Sequence, residues 1–366
     1  MSGCDGTVPC SRPRPERGRR RYSQTVNEPA LTARDWWLGF DIGGTRSKAG
    51  VVSDDGRVGR SHLVETGHEP FALVWDRMLA YADEAIAAEG AAGLRGVGIA
   101  APGVVDPVFG VRNLPGKVPG IEDFPMRRRL EDHLGVPVRC INDGAAATLA
   151  EWRFGAARGY RDVVGLTIGT GIGAGAIIDG RPLQTSNLAG GVSFGHATIQ
   201  AGGRTCLCGN IGCAETLVSA NAVVGRMRDY VARKVPSTIT DAYQHDPGGI
   251  TFRTLVEGVD AGDRVAQEIM QQYCRDLGAT IVTAIHAYDP EVVVLAGGPM
   301  AQADHFVPQV QAYVDRYAFR YPKERVIPIL RAERSDHAGV LGAVARVMQA
   351  VADAAPSSPT AADPSL

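Results

Sequence analysis

Residues 36–58 read WWLGFDIGGTRSKAGVVSDDGRV, and residues 163–183 read VVGLTIGTGIGAGAIIDGRPL. Both follow one plan: an apolar run, a glycine turn, a second apolar run and a second turn. In the first, the apolar residues lead into Asp41, Gly43 and Gly44 break the chain, and KAGVV resumes it. In the second, Gly169, Thr170 and Gly171 make the first turn and Asp179 and Gly180 the next. Short apolar runs bounded by turn residues are strands. The repeat of one plan predicts two similar α/β domains facing each other across a cleft. The glycines do not form a dinucleotide fingerprint, because that motif opens a helix and here a strand follows; GK[ST] for a P-loop is also missing. Both turns offer glycine backbone N–H groups that can approach phosphate oxygens, with hydroxyls from Thr45 and Thr170. A plain β-hairpin stays open for either turn alone. The matched pair, with Asp41 placed to hold a hydrated Mg2+, favours a nucleotide. Gly297 and Gly298, which end the strand DPEVVVLAGG, offer bare backbone to a base or ribose.

Outward from these hairpins, apolar spacing predicts helices over Phe71–Glu89, PMRRRLEDHLG, the residues after Asn142 and Asp143, Ala220–Lys234, Asp263–Tyr288 and HAGVLGAVARVMQAVA. RGVGIAAPG and VPVRCI read as buried strands. The fold class is α/β. Its expected division is a small N-terminal α/β domain over 36–141, completed by a helix over 338–352, and a large α/β domain over 142–337. Residues 1–35, polar and rich in Arg and Pro, and 353–366, rich in Pro, Ser and Ala, are expected to be disordered tails.

The chain has 366 residues, 45% of them hydrophobic and 21% charged, which suits a globular protein of two cored domains. A net charge of -2 gives no basic field for nucleic acid or an anionic membrane. No apolar run approaches the roughly 20 residues that span a bilayer. No hydrophobic stretch follows the basic N-terminal residues, so a secretory signal is not expected. The expected location is cytoplasmic, where reducing conditions suit thiolate ligands better than disulfides.

Residues 195–215, GHATIQAGGRTCLCGNIGCAE, place Cys206, Cys208 and Cys213 within eight residues, with turn glycines at 209 and 212. This is zinc-site spacing, with His196 as the fourth ligand of a tetrahedron. The alternatives are a disulfide with a spare thiol or three buried apolar cysteines. Cys206 and Cys208 are too close to pair comfortably, and the surroundings are polar and Gly-rich. A clamp here would fix His196 at one end and Glu215 at the other. Asp143, at the C-terminal end of an apolar strand where α/β sheets place their crevices, has the position of a general base. It could instead cap the helix GAAATLAEW.

DIGGT at 41–45, Asn142-Asp143 opening a helix, LTIGTGIGAG at 166–175, GH followed by CLCGNIGCAE, DPEVVVLAGG at 289–298 and GVLGAV at 339–344 together resemble the ROK family (repressors, open reading frames and kinases). The resemblance spans about Trp36 to Ala352. It implies the actin-like ATPase (ribonuclease H-like) fold and transfer of the ATP γ-phosphate to a sugar hydroxyl, with ATP, Mg2+ and a structural Zn2+. By resemblance, Asp143 is the catalytic base. Asn113, Asn142, Asp143, His196 and Glu215 meet the sugar, and Asp41, Gly43, Gly44, Thr45, Thr170, Gly171, Gly297 and Gly298 meet the nucleotide. The expected partners are a sugar or cyclitol and ATP, with no nucleic acid or membrane, and the expected assembly is a homodimer.

Two departures stand out. Family kinases carry a glutamate three residues before the histidine, in a Glu-x-Gly-His pattern; here that position is Ser193. A family tryptophan expected after Asn113-Leu114-Pro115-Gly116 is replaced by KVPGIEDF. Serine cannot act as a charge-assisted acceptor. Retained phosphotransfer with an altered acceptor pocket is therefore expected, for an aminosugar or a cyclitol such as the C7-cyclitols of aminoglycoside-type and acarbose-type antibiotic pathways, with glucose still open. The other expectation is a catalytically inactive sugar sensor. Residues 1–34 are too short and Pro-rich for the helix-turn-helix of a repressor.

Overall fold

The computed structural model describes residues 24–26, 35–66, 69–113 and 118–354. The Arg-rich cluster at 17–21, the site of the missing tryptophan at 114–117, and most of both expected tails lie outside them. Two tail expectations are corrected within the described residues. Gln24–Val26 forms a strand, β1, and the closing helix runs to Ala354, past the expected end at 352.

After β1 come β2 (Trp36–Asp41), β3 (Arg46–Ser53), β4 (Val58–Glu65), helix α1 (Phe71–Glu89), β5 (Leu94–Ala101), a small hairpin of β6 (Val104–Asp106) and β7 (Gly110–Asn113), helix α2 (Met126–Leu134) and β8 (Val138–Asn142). The first sheet has the order β1-β4-β3-β2-β5-β8. β2, β3 and β4 are an antiparallel meander, and β2, β5 and β8 run parallel. The period of two in β2 explains why it is central. Trp36, Leu38 and Phe40 enter one core with Phe71, Val74, Trp75 and Met78 of α1, while Trp37 enters a second core on the opposite face. β1 pairs antiparallel with β4 and extends the edge.

The chain continues through α3 (Asp143–Phe154) into β9 (Val163–Ile168), β10 (Ile172–Ile178) and β11 (Arg181–Pro182). Then follow helices α4 (Glu215–Val218), α5 (Ala220–Ala232), α6 (Thr238–His245), α7 (Phe252–Asp260) and α8 (Arg264–Tyr288), strand β12 (Val292–Ala296), helix α9 (Val307–Tyr317), β13 (Ile329–Arg331) and α10 (Ala338–Ala354). The second sheet has the order β11-β10-β9-β12-β13, again an antiparallel meander continued by parallel strands. The order β4-β3-β2-β5-β8 is thus repeated, so the sequence echo is a repeat in space.

Helices α3 and α10 carry the core that joins the two sheets. Val340, Leu341, Val344, Val347 and Met348 of α10 are buried there with Ala146, Leu149 and Ala150 of α3 and residues of β9 and β12. Burying side chains of this kind stabilises by roughly 1.5–3 kcal/mol each. Close approach depends on two glycines. A Cβ at Gly98 would overlap the Ala343 backbone, and one at Gly342 would overlap the Ala146 carbonyl. Small residues at these crossings let α10 lie directly on the first sheet and on α3.

Candidate functional site

A cleft of about 810 Å³ lies between the sheets. The C-terminal ends of parallel strands feed it, as expected for an α/β crevice: Asp41 ends β2, Gly103 follows β5 and Asn142 ends β8. From the second sheet come the turn Gly169–Gly171 and Ile172. Of the residues singled out in the sequence, Asp41, Asn113, Asn142, Asp143, Thr170, Gly171, His196, Cys208 and Glu215 line this cleft, as does Ser193. Gly43, Gly44, Thr45, Gly297 and Gly298 do not. Gly297 has φ of 102° and a Cβ there would overlap the Ile168 carbonyl, so the β12 terminus needs glycine for packing whatever it binds.

The division of labour between Asn142 and Asp143 differs from the sequence alternative. Asn142 is the N-cap of α3: its Oδ1 accepts from the N–H groups of Gly144 (2.9 Å) and Ala145 (3.1 Å). Its Nδ2 donates to the Gly103 carbonyl at 2.9 Å. Asp143 is the first helical residue, and its Oδ1 accepts from Gly144 N at 2.8 Å. Capping therefore falls to the asparagine, and the aspartate carboxylate stands at the positive end of the helix on the cleft wall.

Asp41 is the electrostatic focus. Burial, reinforced by the neighbouring Asp143 carboxylate and opposed by Lys48, raises its carboxyl from 3.8 to about 6. α10 starts against it so closely that a Cβ at Gly339 would overlap the Asp41 carboxylate. Two carboxylates held near each other in a partly desolvated cleft attract a divalent cation.

At the other wall, Val192–His196 forms a short 3-10 turn that presents His196. The His196 Nδ1 lies 3.6 Å from Cys206 Sγ, and Cys208 Sγ lies 3.7 Å from Cys213 Sγ. All four ligand atoms fall within 4.8 Å of one another. A disulfide would need about 2.0 Å between sulfurs. The edges of a tetrahedron around zinc are about 3.8 Å between two sulfurs and about 3.6 Å between sulfur and nitrogen, from bond lengths of about 2.3 and 2.0 Å. Gly209 and Gly212, at φ of 91° and 75°, make the turns that fold the cysteines together. Cys206 and Cys213 are buried while His196 and Cys208 are exposed, so the cluster sits at the protein surface with one side turned inward.

Glu215 ties this cluster to the second glycine turn. Its Oε2 accepts from Ile172 N at 3.0 Å, its Oε1 lies 3.9 Å from Cys206 Sγ, and a Cβ at Gly171 would overlap the carboxylate. Ser193 Oγ donates to the Ala189 carbonyl at 2.7 Å. Sequence reasoning passed over Lys48, Ser335 and Asp336, which also line the cleft. Lys48 was legible in principle, as the residue across the first hairpin from Asp41.

The chain matches the ROK family over residues 37–350. It is 32% identical to the glucokinase of Thermotoga maritima over 71% of this chain and 81% of that one. The crystal structure of a ROK family glucokinase from Streptomyces griseus in complex with glucose and AMPPNP superposes with a TM-score of 0.69 at 28% identity, covering 86% of this chain and 99% of that one. The structure of a ROK family transcriptional regulator, a homologue of the Escherichia coli Mlc protein, gives a TM-score of 0.75 at 25% identity over 87% of this chain and 78% of that one. Two sheets of like order around a cleft are the actin-like ATPase fold that these relatives share. This chain belongs to the ROK family.

Proposed function

We propose that the protein is a sugar phosphotransferase that moves the γ-phosphoryl group of ATP to a hydroxyl of a sugar or sugar-like cyclitol. The observation that carries this is the Asp143 carboxylate on the cleft wall at the start of α3, while Asn142 performs the capping. Asp143 takes the proton of the acceptor hydroxyl as its oxygen bonds to phosphorus and the bond to ADP breaks. Glycine backbone at 169–171 faces the phosphates. Asp41 is the carboxylate that would hold a hydrated Mg2+, which would supply neutralisation of phosphate charge. The second amide hydrogen of Asn142, the Nε2 of His196 and the carboxylate of Glu215 orient the acceptor.

His196, Cys206, Cys208 and Cys213 hold a structural zinc. Its role is to fix His196 and Glu215: one imidazole nitrogen belongs to the metal side and the other to the cleft. Through Ile172 N, Glu215 transmits that order to the Gly169–Gly171 turn.

The acceptor pocket carries Ser193, whose hydroxyl is already committed to Ala189, so no charged acceptor meets the ring at that edge. A pocket without such a partner discriminates weakly there. The preferred acceptor is a C7-cyclitol or modified sugar phosphorylated on its primary hydroxyl, ahead of glucose. The test is the ratio of kcat/KM for a C7-cyclitol and for glucose in wild type and in Ser193→Glu. The ratio should exceed one in wild type and move towards glucose in the variant. A wild type that strongly prefers glucose refutes the specificity and leaves the kinase standing. The likeness to a regulator supports a second function, a sugar sensor without turnover, and acceptor-dependent ADP release separates the two.

A further inference from the structure

We infer that Leu207 is a specificity-determining residue of the acceptor pocket, the contact for an apolar substituent carried by the acceptor. The inference rests on the phosphotransfer function proposed above and narrows its acceptor class to a ring that bears an alkyl or acyl group on one edge.

Leucine is a residue type that folding hides, yet Leu207 is fully exposed, at 102% of its reference area. A lone leucine on an open surface needs no explanation; this one lines the cleft. Its place there follows from the cysteine turn. Cys206 Sγ lies 3.6 Å from His196 Nδ1 and 3.9 Å from Glu215 Oε1, the two side chains that orient the acceptor. Leu207 is the next residue, so it stands at the acceptor wall. The backbone that carries it is fixed: Cys206 N donates to the Asn210 carbonyl at 2.8 Å, Gly209 N donates to the Cys206 carbonyl at 2.9 Å, and Thr205 bridges Ile211. A contact mounted on such a turn is in place before the ligand arrives, which lowers the ordering cost of binding.

The neighbouring wall has the same character. In the 3-10 turn Val192–His196, residues three apart eclipse, so Ser193 and His196 face the same way, and both line the cleft. The Ser193 hydroxyl is committed to the Ala189 carbonyl, and Ala189 and Val192 line the cleft too. The edge beside His196 is therefore built of Leu207, Ala189, Val192 and a hydroxyl already bonded, whereas Asn142, Asp143 and Glu215 supply polar groups elsewhere. A ring hydroxyl pressed on this edge would give up water and find no partner, which weakens binding. An alkyl or acyl group has no such hydrogen bonds to lose and covers the leucine, for about fourfold in affinity per methylene buried.

The experiment measures acceptor affinity by calorimetry, without nucleotide, in wild type, Leu207→Ala, Leu207→Gln and Leu207→Met. The probes are glucose with hexyl β-glucoside and 3-O-propylglucose, and glucosamine with N-butanoylglucosamine, so that substituents leave three different ring positions. In wild type a substituted probe should bind about 10-fold or more tighter than its bare parent. Leu207→Ala and Leu207→Gln should cut that gain to about twofold and leave the bare parents within about twofold of wild type. Leu207→Met, which keeps apolar volume, should retain the gain. Metal content and melting midpoint should match wild type in all three variants, because the replaced side chain is fully exposed. No gain from any substituent in wild type, or a gain that Leu207→Ala and Leu207→Gln leave intact, would overturn the inference. Affinity gained through Leu207 without ADP release on any probe would remove the kinase function and leave the apolar contact standing. ADP release from bare sugars with no gain from substituents would do the reverse.

Discussion

Asp41→Asn is expected to make the ligand-free protein more stable while making it a worse enzyme. Burial and the Asp143 carboxylate raise Asp41 from 3.8 to about 6, with Lys48 opposing. At 1.36 kcal/mol per pH unit, that rise corresponds to about 3 kcal/mol, discounted to about 2–3 kcal/mol for solvent in the open cleft. The sign follows from proton counting. Between pH 3.8 and about 6 the folded carboxyl holds a proton that the unfolded one has lost, so wild-type stability falls as pH rises through this window. Above it both states are ionised and the deficit is constant. Asparagine does not titrate, so the difference between variant and wild type should be near zero at pH 4, grow through pH 6 and level off by pH 8. The assay is chemical denaturation of both proteins across that range without nucleotide. Adding Mg2+ and AMPPNP should reverse the ranking, because the cation occupies the cost in wild type and has less to bind in the variant. A difference independent of pH, or a variant less stable than wild type at pH 8 without ligand, would refute the electrostatic reasoning.

Three further outcomes follow from the geometry. Protein purified without added zinc should contain one zinc per chain, and Cys213→Ser should lose the metal and melt earlier, by metal analysis and calorimetry; metal and fold both retained would exclude the quartet as its site. Glu151, buried in α3, accepts from the backbone N–H groups of Ala156 (3.0 Å), Glu333 (3.0 Å) and Arg334 (2.6 Å) and so pins the segment that enters the cleft at Ser335. Glu151→Ala removes the acceptor of these three part-buried donors and should cost on the order of 3 kcal/mol by denaturation, with a loss under about 1 kcal/mol contradicting the role. Gly342→Val forces α10 away from the Ala146 carbonyl and should cost on the order of 1–3 kcal/mol on the same assay.

Local signals were the ones the sequence carried clearly. The two glycine-turn hairpins became β2–β3–β4 and β9–β10–β11, and the helix expected over Phe71–Glu89 has those bounds. The His and Cys quartet was legible because its spacing is short and its chemistry narrow. Relations set by distant chain segments were hidden. That Asn142 rather than Asp143 caps α3 depends on the backbone angle at which β8 ends. Lys48 is the exception, because its place in the cleft needs only the pairing register across the local 42–45 turn. Glu151 lies in the helix GAAATLAEW, and two of its three partners lie about 180 residues away. Asp336 enters the site only because α10 returns to the first sheet after the whole second sheet has been built.

Phosphotransfer itself is tested most directly by ADP release from Mg2+·ATP over a panel of hexoses, aminosugars and cyclitols, with wild type and Asp143→Asn side by side. The geometry predicts acceptor-dependent ADP release in wild type, lowered on the order of 10²-fold or more in Asp143→Asn while acceptor and AMPPNP still bind. Sugar binding without ADP release on any acceptor, or near-normal turnover in Asp143→Asn, would contradict it.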